Sequence, residues 1–118
     1  MSNLLQAAPK IDAVWNHDDD QGIGVLAAIN QANRKEFIMV GGAGSKQAID
    51  TITADNTPLK ATVTYSPSMA SSAISLARLI GQGKGMSDLV ELQVPSELTL
   101  ASETITKENA GQYAKLGF

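Results

Sequence analysis

Three adjacent aspartates, Asp18, Asp19 and Asp20, follow His17 in the stretch VWNHDDDQGIG, between an apolar run and a glycine-punctuated one. Adjacent carboxylates repel, so something local must reward them: a helix N-terminus, a hard cation or a hydroxyl-rich ligand. The helix start accounts for part of the run. Asp19 or Asp20 is expected to be the N-cap, accepting backbone N–H bonds at the positive helix end. That leaves Asp18 pointing into whatever crevice lies beyond the strand. A Mg²⁺ or Ca²⁺ site is disfavoured, because consecutive side chains on a strand-to-helix turn splay apart and no spaced Asx/Gly loop follows.

His17 is the only histidine, there is no cysteine, and no Gly-x-Ser-x-Gly elbow occurs. Nucleophilic catalysis therefore has little support, and no enzyme activity or cofactor is expected. GGAGSK, residues 41–46, exposes glycine N–H groups but lacks the Gly-Lys-Ser/Thr ending of a nucleotide loop. Its expected role is a tight strand-to-helix turn with Ser45 as cap. Trp15, in an apolar strand, is expected in the core rather than on a sugar-stacking surface.

The elements that must position these residues alternate along the chain. IDAVWN (11–16) reads as a strand and the segment from Asp20 to Asn33 as a helix. EFIMVGG (36–42) is a second strand, SKQAIDTITAD (45–55) a second helix, and LKATVTY (59–65) a third strand. SMASSAISLARLIGQGK (68–84) is a long amphipathic helix with Met69, Ala73, Leu76 and Ile80 as its apolar stripe. LVELQVP (89–95) reads as a fourth strand, and TITKENAGQYAKLG (104–117) as a last helix opened by Thr106 with Asn109 three residues later. Strands that are apolar throughout and alternate with helices predict an α/β fold. Its form is three-layered and flavodoxin-like: a mainly parallel sheet with helices on both faces. Ligands in such sheets bind beyond the carboxyl ends of the strands, which is where HDDDQ, GGAGSK and TYSP fall.

At 118 residues the chain is one domain at most, and 43% apolar with 18% charged residues is an ordinary globular composition. A net charge of −3 argues against nucleic acid, and the absence of cysteine excludes disulfides. MSNLLQAAPK lacks the basic start and long apolar stretch of a signal peptide. It reads as the last turns of a helix stopped by Pro9, either the remnant of a longer chain or a brief first helix.

Taken in order, DAVWNHDDDQGIGVLAAI, FIMVGGAG, LKATVTYSP, and ELTL followed by ETITKENAGQY resemble the C-terminal part of a type 1 periplasmic binding protein, the sugar-binding component of ABC transporters. The resemblance spans nearly the whole chain through motifs that are individually soft and specific in combination. It implies two α/β lobes closing on a sugar or related polyhydroxylated molecule, in roughly 300 residues, about two typical domains' worth. Residues 1–118 would then be a single domain, the later part of the C-terminal lobe, with the 66–90 helix region packing on the N-terminal lobe. The resemblance implies that Asp18 and the neighbouring His17 face the ligand, that Tyr65 touches it at the hinge, and that Asp19 is structural. Ala43 falls where many sugar binders carry an aspartate, a departure that weakens the grip on a pyranose.

The implied partners are an ABC permease and its ATPase, and the implied location of the full-length parent is periplasmic, or extracellular and membrane-attached. Without the other lobe, the stripe on the 68–84 helix must either fold back onto this sheet or be covered by exchange between two copies, and the homodimer is the outcome expected. Two other readings stay open on the residues alone. One is the ligand-sensing domain of a LacI-type transcription regulator, which shares the fold. The other is a small flavodoxin-like Mg-dependent enzyme or phospho-acceptor built on Asp18–Asp20.

Overall fold

The computed structural model describes residues 1–115, which form two compact units. The first unit comprises Met1–Tyr65 and the segment from Ser102 onward. It contains α1 (Ser2–Ala7), β1 (Ala13–Trp15), α2 (Asp19–Gln31), β2 (Ile38–Ala43), α3 (Lys46–Ala54) and β3 (Leu59–Thr64). α4 (Met69–Gly81) lies in the second unit, Ser66–Ala101, and the chain returns to the first for β4 (Thr104–Thr106) and α5 (Ala110–Tyr113). The four strands form one sheet in the order β1-β2-β3-β4, parallel except for β4, which runs antiparallel to β3. This is the α/β, parallel-dominated, helix-flanked sheet that the alternating pattern predicts.

Local chemistry sets each element's limits. Pro9 stops α1, and the Arg34 guanidinium donates to the carbonyls of Leu5 (2.9 Å) and Ala8 (3.1 Å) that α1 leaves unpaired. α3 starts at Ser45, whose hydroxyl accepts from the Ala48 N–H at 3.2 Å. It ends at Asp55 in the left-handed conformation (φ 51°), which aspartate tolerates better than most residues.

The helices of this unit share one face of the sheet. Leu5 of α1, Ala28 and Ile29 of α2, and Ala48 and Ile52 of α3 pack with Met39 and Leu59 of the strands. Ile49 of α3, Ile105 of β4 and Ala110 of α5 extend that core. Steps from β1 to β2 to β3 run in one direction, and right-handed crossovers then put α2 and α3 on the same side. Pairing partners side by side share a face, so the register assigns Ala13, Trp15, Ile38, Val40, Gly42, Ala61, Val63, Thr104 and Thr106 to the opposite one. There Trp15 is 74% exposed, Ile38 51% and Val63 38%. The expectation that Trp15 lies in the core is thus corrected: its strand belongs to the sheet, but no helix of this unit covers its side.

Two further readings are corrected near the C-terminus. Residues 89–95 form no strand, and Val90 and Leu92 are almost fully exposed. An apolar run without a partner edge has nothing to pair with. The strand is instead Thr104–Thr106, from the stretch read as the start of a helix. The Asn109 side chain accepts from the Thr106 N–H (2.8 Å) and donates to the Thr104 carbonyl (2.9 Å), so α5 begins only after Asn109. The end of the expected helix, 116–117, lies outside the described residues.

In the second unit, α4 buries no residue fully. Met69, Ala73 and Leu76 of its stripe, with Met86, Leu98 and Leu100, line a cleft of about 680 Å³, while Ile80 is largely exposed.

Asp55 also clasps the sheet to its C-terminal return. Its carboxylate meets the Lys60 ammonium at 2.5 Å and that of Lys107 at 2.9 Å. Hydrogen bonds from these two cations hold its pKa down at about 2, against an ordinary 3.8. A depressed carboxylate stabilises the fold fully above its unfolded pKa and progressively less as pH falls toward the folded one. Thermal melts between pH 4 and pH 2 should therefore decline less steeply for Asp55→Asn than for the native chain. Parallel curves would show that the clasp contributes nothing.

Candidate functional site

β1, β2 and β3 point their carboxyl ends to one edge of the sheet, and the residues singled out from the sequence gather there. Asp18 follows β1, Ala43 ends β2, and Tyr65 follows β3. The N-cap of α2 is Asp18, which corrects the expectation for Asp19 and Asp20. Asp18 has extended backbone angles (φ −147°, ψ 143°), and its Oδ1 accepts from the Asp20 N–H at 2.9 Å. Asp19 and Asp20 are already in the first helical turn, where their charges still favour the positive end of the dipole. The cap thus falls one residue earlier; the Asp18 carbonyl takes the first helical bond, from the Gly22 N–H at 3.0 Å, and the Asn16 side chain donates to it as well.

Asp19 is 7% exposed and points into the protein. Its Oδ2 accepts from the N–H groups of Gly44 (3.0 Å) and Ser45 (2.9 Å). The Thr62 hydroxyl, wholly buried, lies 2.9 and 3.0 Å from the two carboxylate oxygens. One carboxylate thus ties the β1–α2 turn to the β2–α3 turn and to the middle of β3. Gly41 makes room for it: a Cβ there would lie 2.4 Å from Asp19 Oδ1. Thr62 was not singled out from the sequence. Its signal was a hydroxyl residue between Ala61 and Val63 in the middle of a strand, which needs a partner where it is buried.

With one oxygen of Asp18 on the helix start, the other faces Tyr65, whose hydroxyl donates to Oδ2 at 3.3 Å. Partial withdrawal from water, then the Asp18 charge, holds the Tyr65 phenol above its usual range and keeps it protonated as a donor. The Tyr65 N–H reaches the Ala43 carbonyl at 3.4 Å. Ala43 is buried with φ 139°, a conformation few non-glycine residues adopt, and offers no polar side chain. His17 is exposed and meets Trp15 edge-on, ring centroids 5.7 Å apart. The structure thus joins Asp18 to Tyr65 directly, with His17 beside them and Ala43 beneath. Asp20 is exposed. Among the described residues no three His, Asp or Glu side chains are grouped to hold a metal ion, and no helix is long and apolar enough to cross a membrane.

The edge is thus chemically an acceptor and donor pair, one carboxylate oxygen and one phenol, on a rigid support.

No protein-family model matches the chain. The ribose import binding protein of Bacillus subtilis (strain 168) is 39% identical over 69 residues, 58% of this chain and 22% of that protein. An ABC transporter solute-binding protein from Agrobacterium vitis, solved with bound allitol, superposes with a TM-score of 0.78 at 22% identity, over 97% of this chain and 38% of that one. The Caulobacter myo-inositol-binding protein, bound to myo-inositol, gives 0.74 at 21% identity, over 98% and 37%. The chain therefore spans about a fifth of the length of its curated relative and just over a third of these structures. In sequence over part of its length, and in fold over nearly all of it, the chain is similar to the sugar-binding proteins of ABC transporters, the type 1 periplasmic binding proteins whose motifs it carries.

Proposed function

We propose that this chain is part of the C-terminal lobe of a solute-binding protein that takes up a sugar or related polyol in an interlobe cleft. Asp18, Tyr65 and His17 form its share of the ligand surface. The observation that carries the reading is Asp18 itself. One carboxylate oxygen is fixed by the helix start, and the other is presented at the carboxyl edge of the sheet beside a phenol donor. A ligand with adjacent hydroxyls donates to such an oxygen and accepts from such a phenol. Ala43 adds no second acceptor, so the remaining grip comes from a second lobe. The 39% identity to a ribose import protein supports the ligand class, and the reading is one of binding without turnover. In the cell such a lobe works outside the cytoplasmic membrane and delivers its ligand to an ABC permease by hinge closure.

NMR titration of the chain with ribose, allitol and myo-inositol tests this. Saturable shifts are expected at Asp18 and Tyr65 for at least one of them. Asp18→Asn keeps the cap but removes the charge, and should weaken that binding by about 1.5–3 kcal/mol, the size of a charge-assisted hydrogen bond. Shifts spread evenly over the surface, or an unchanged affinity in Asp18→Asn, would sink the assignment.

A further inference from the structure

We propose that Thr62, buried beneath the carboxyl edge, is a positioning residue: its hydroxyl fixes one peptide group and so holds Tyr65 on Asp18. Its purpose rests on the ligand reading, but its geometry is testable without a ligand. Thr62 is wholly enclosed. Its Oγ1 donates to the Asp19 carboxylate (2.9 Å) and accepts from the Gly44 N–H (3.2 Å). Valine has nearly the same shape and can do neither.

The peptide between Ala43 and Gly44 is what this hydroxyl controls. Its N–H is held by Asp19 Oδ2 and Thr62 Oγ1. Its C=O, on the opposite side of the same rigid plane, accepts from the Tyr65 N–H at 3.4 Å. Both flanking residues stand at positive φ, 139° for Ala43 and 78° for Gly44. An alanine persists there only where its surroundings impose the conformation. The two acceptors on the Gly44 N–H are the contacts that impose it. The turn also lies close against β3, since a Cβ at Gly44 would fall 2.8 Å from Thr64 Cγ2. Tyr65 follows Thr64 directly, and its hydroxyl reaches Asp18 Oδ2 at 3.3 Å. Asp18 precedes Asp19 in the chain, so the contacts close into a ring through Thr62, Asp19, the Ala43–Gly44 peptide, Tyr65 and Asp18. Releasing the Gly44 N–H lets the strained peptide turn, and Tyr65 then loses its backbone anchor.

Titration of the Tyr65 phenol by NMR, assigned with Tyr65→Phe, reads the pairing in the chain without ligand. Partial withdrawal from water, the Asp18 charge and the Asp18 hydrogen bond raise its midpoint, with the charges of Asp19 and Asp20 behind them. Asp18→Asn should lower that midpoint, which calibrates the probe. Thr62→Val should lower it as well, with circular dichroism unchanged, and Thr62→Ser should keep it at the native value. Thr62→Cys, a weaker donor of similar size, takes the place of valine if that variant folds poorly. For whichever of ribose, allitol or myo-inositol binds, affinity should fall roughly 3–30-fold in Thr62→Val and recover in Thr62→Ser. A midpoint that falls in Asp18→Asn but not in Thr62→Val would overturn the proposal. A fall that Thr62→Ser shares would do the same, by assigning the effect to packing rather than to the hydroxyl. A midpoint indifferent to Asp18→Asn would also overturn it, since Tyr65 is then not held on Asp18. If none of the three polyols binds, the ligand reading fails, and the Tyr65 midpoint still decides the positioning.

Discussion

Asp19→Ala is expected to lower the unfolding free energy by about 3–5 kcal/mol, far more than the ~1 kcal/mol of a lost helix cap. The carboxylate accepts from the Gly44 and Ser45 N–H groups and from the buried Thr62 hydroxyl. Alanine leaves donors facing a cavity too enclosed for free solvation, at about 1–3 kcal/mol for each unsatisfied group. Gly44 is partly compensated, because its N–H also lies 3.2 Å from the Thr62 hydroxyl. Asp19→Asn should fall in between: its amide oxygen still accepts, but its NH₂ turns toward other donors. Urea unfolding followed at 222 nm gives both values. A loss near 1 kcal/mol for Asp19→Ala would mean that the residue acts only through the helix dipole.

Gly41→Ala should cost about 2–4 kcal/mol, a large figure for one added methyl group. The new Cβ would sit 2.4 Å from Asp19 Oδ1, and that carboxylate cannot swing away without dropping its three donors. The Leu59 side chain, 3.6 Å from the same point, closes the other direction. The two substitutions are therefore coupled. In a Gly41→Ala background, Asp19→Ala should cost clearly less than it does alone, because the first change has already displaced the carboxylate. Strictly additive losses in the double-mutant cycle would show that the backbone of β2, not Asp19, absorbs the methyl group.

The alternation of apolar runs with amphipathic segments was enough to read β1 to β3, α2 to α4 and the parallel sheet. Those elements declare themselves through periodicity and through the turn chemistry of GGAGSK. The return strand was harder. Leu89, Val90 and Leu92 look like a strand because hydrophobicity is a local property, but pairing depends on a free edge. Thr104–Thr106 meets β3 through only one buried side chain, Ile105. Trp15 was misplaced for a related reason: composition says that a residue prefers burial, not whether a layer exists to bury it. At the site, the carboxyl-edge location of Asp18 and Tyr65 was readable from fold class. The division of labour within the aspartates was not, because it turns on a one-residue shift of the helix start, which three identical neighbours do not mark.

That shift narrows what position 18 can become. The same side chain starts α2 through one oxygen and shows the other to the open edge. Lengthening it by one methylene, as in glutamate, would take the first oxygen off the Asp20 N–H, and a hydrophobic residue would abandon it altogether. Aspartate and asparagine alone keep both the reach and the geometry, and they differ in charge and in whether the outward atom can donate. Under the proposed function, ligand preference at this point would be tunable in polarity but not in length. Any broader change of ligand size would then have to be written into residues that carry no helix, such as Tyr65 and His17.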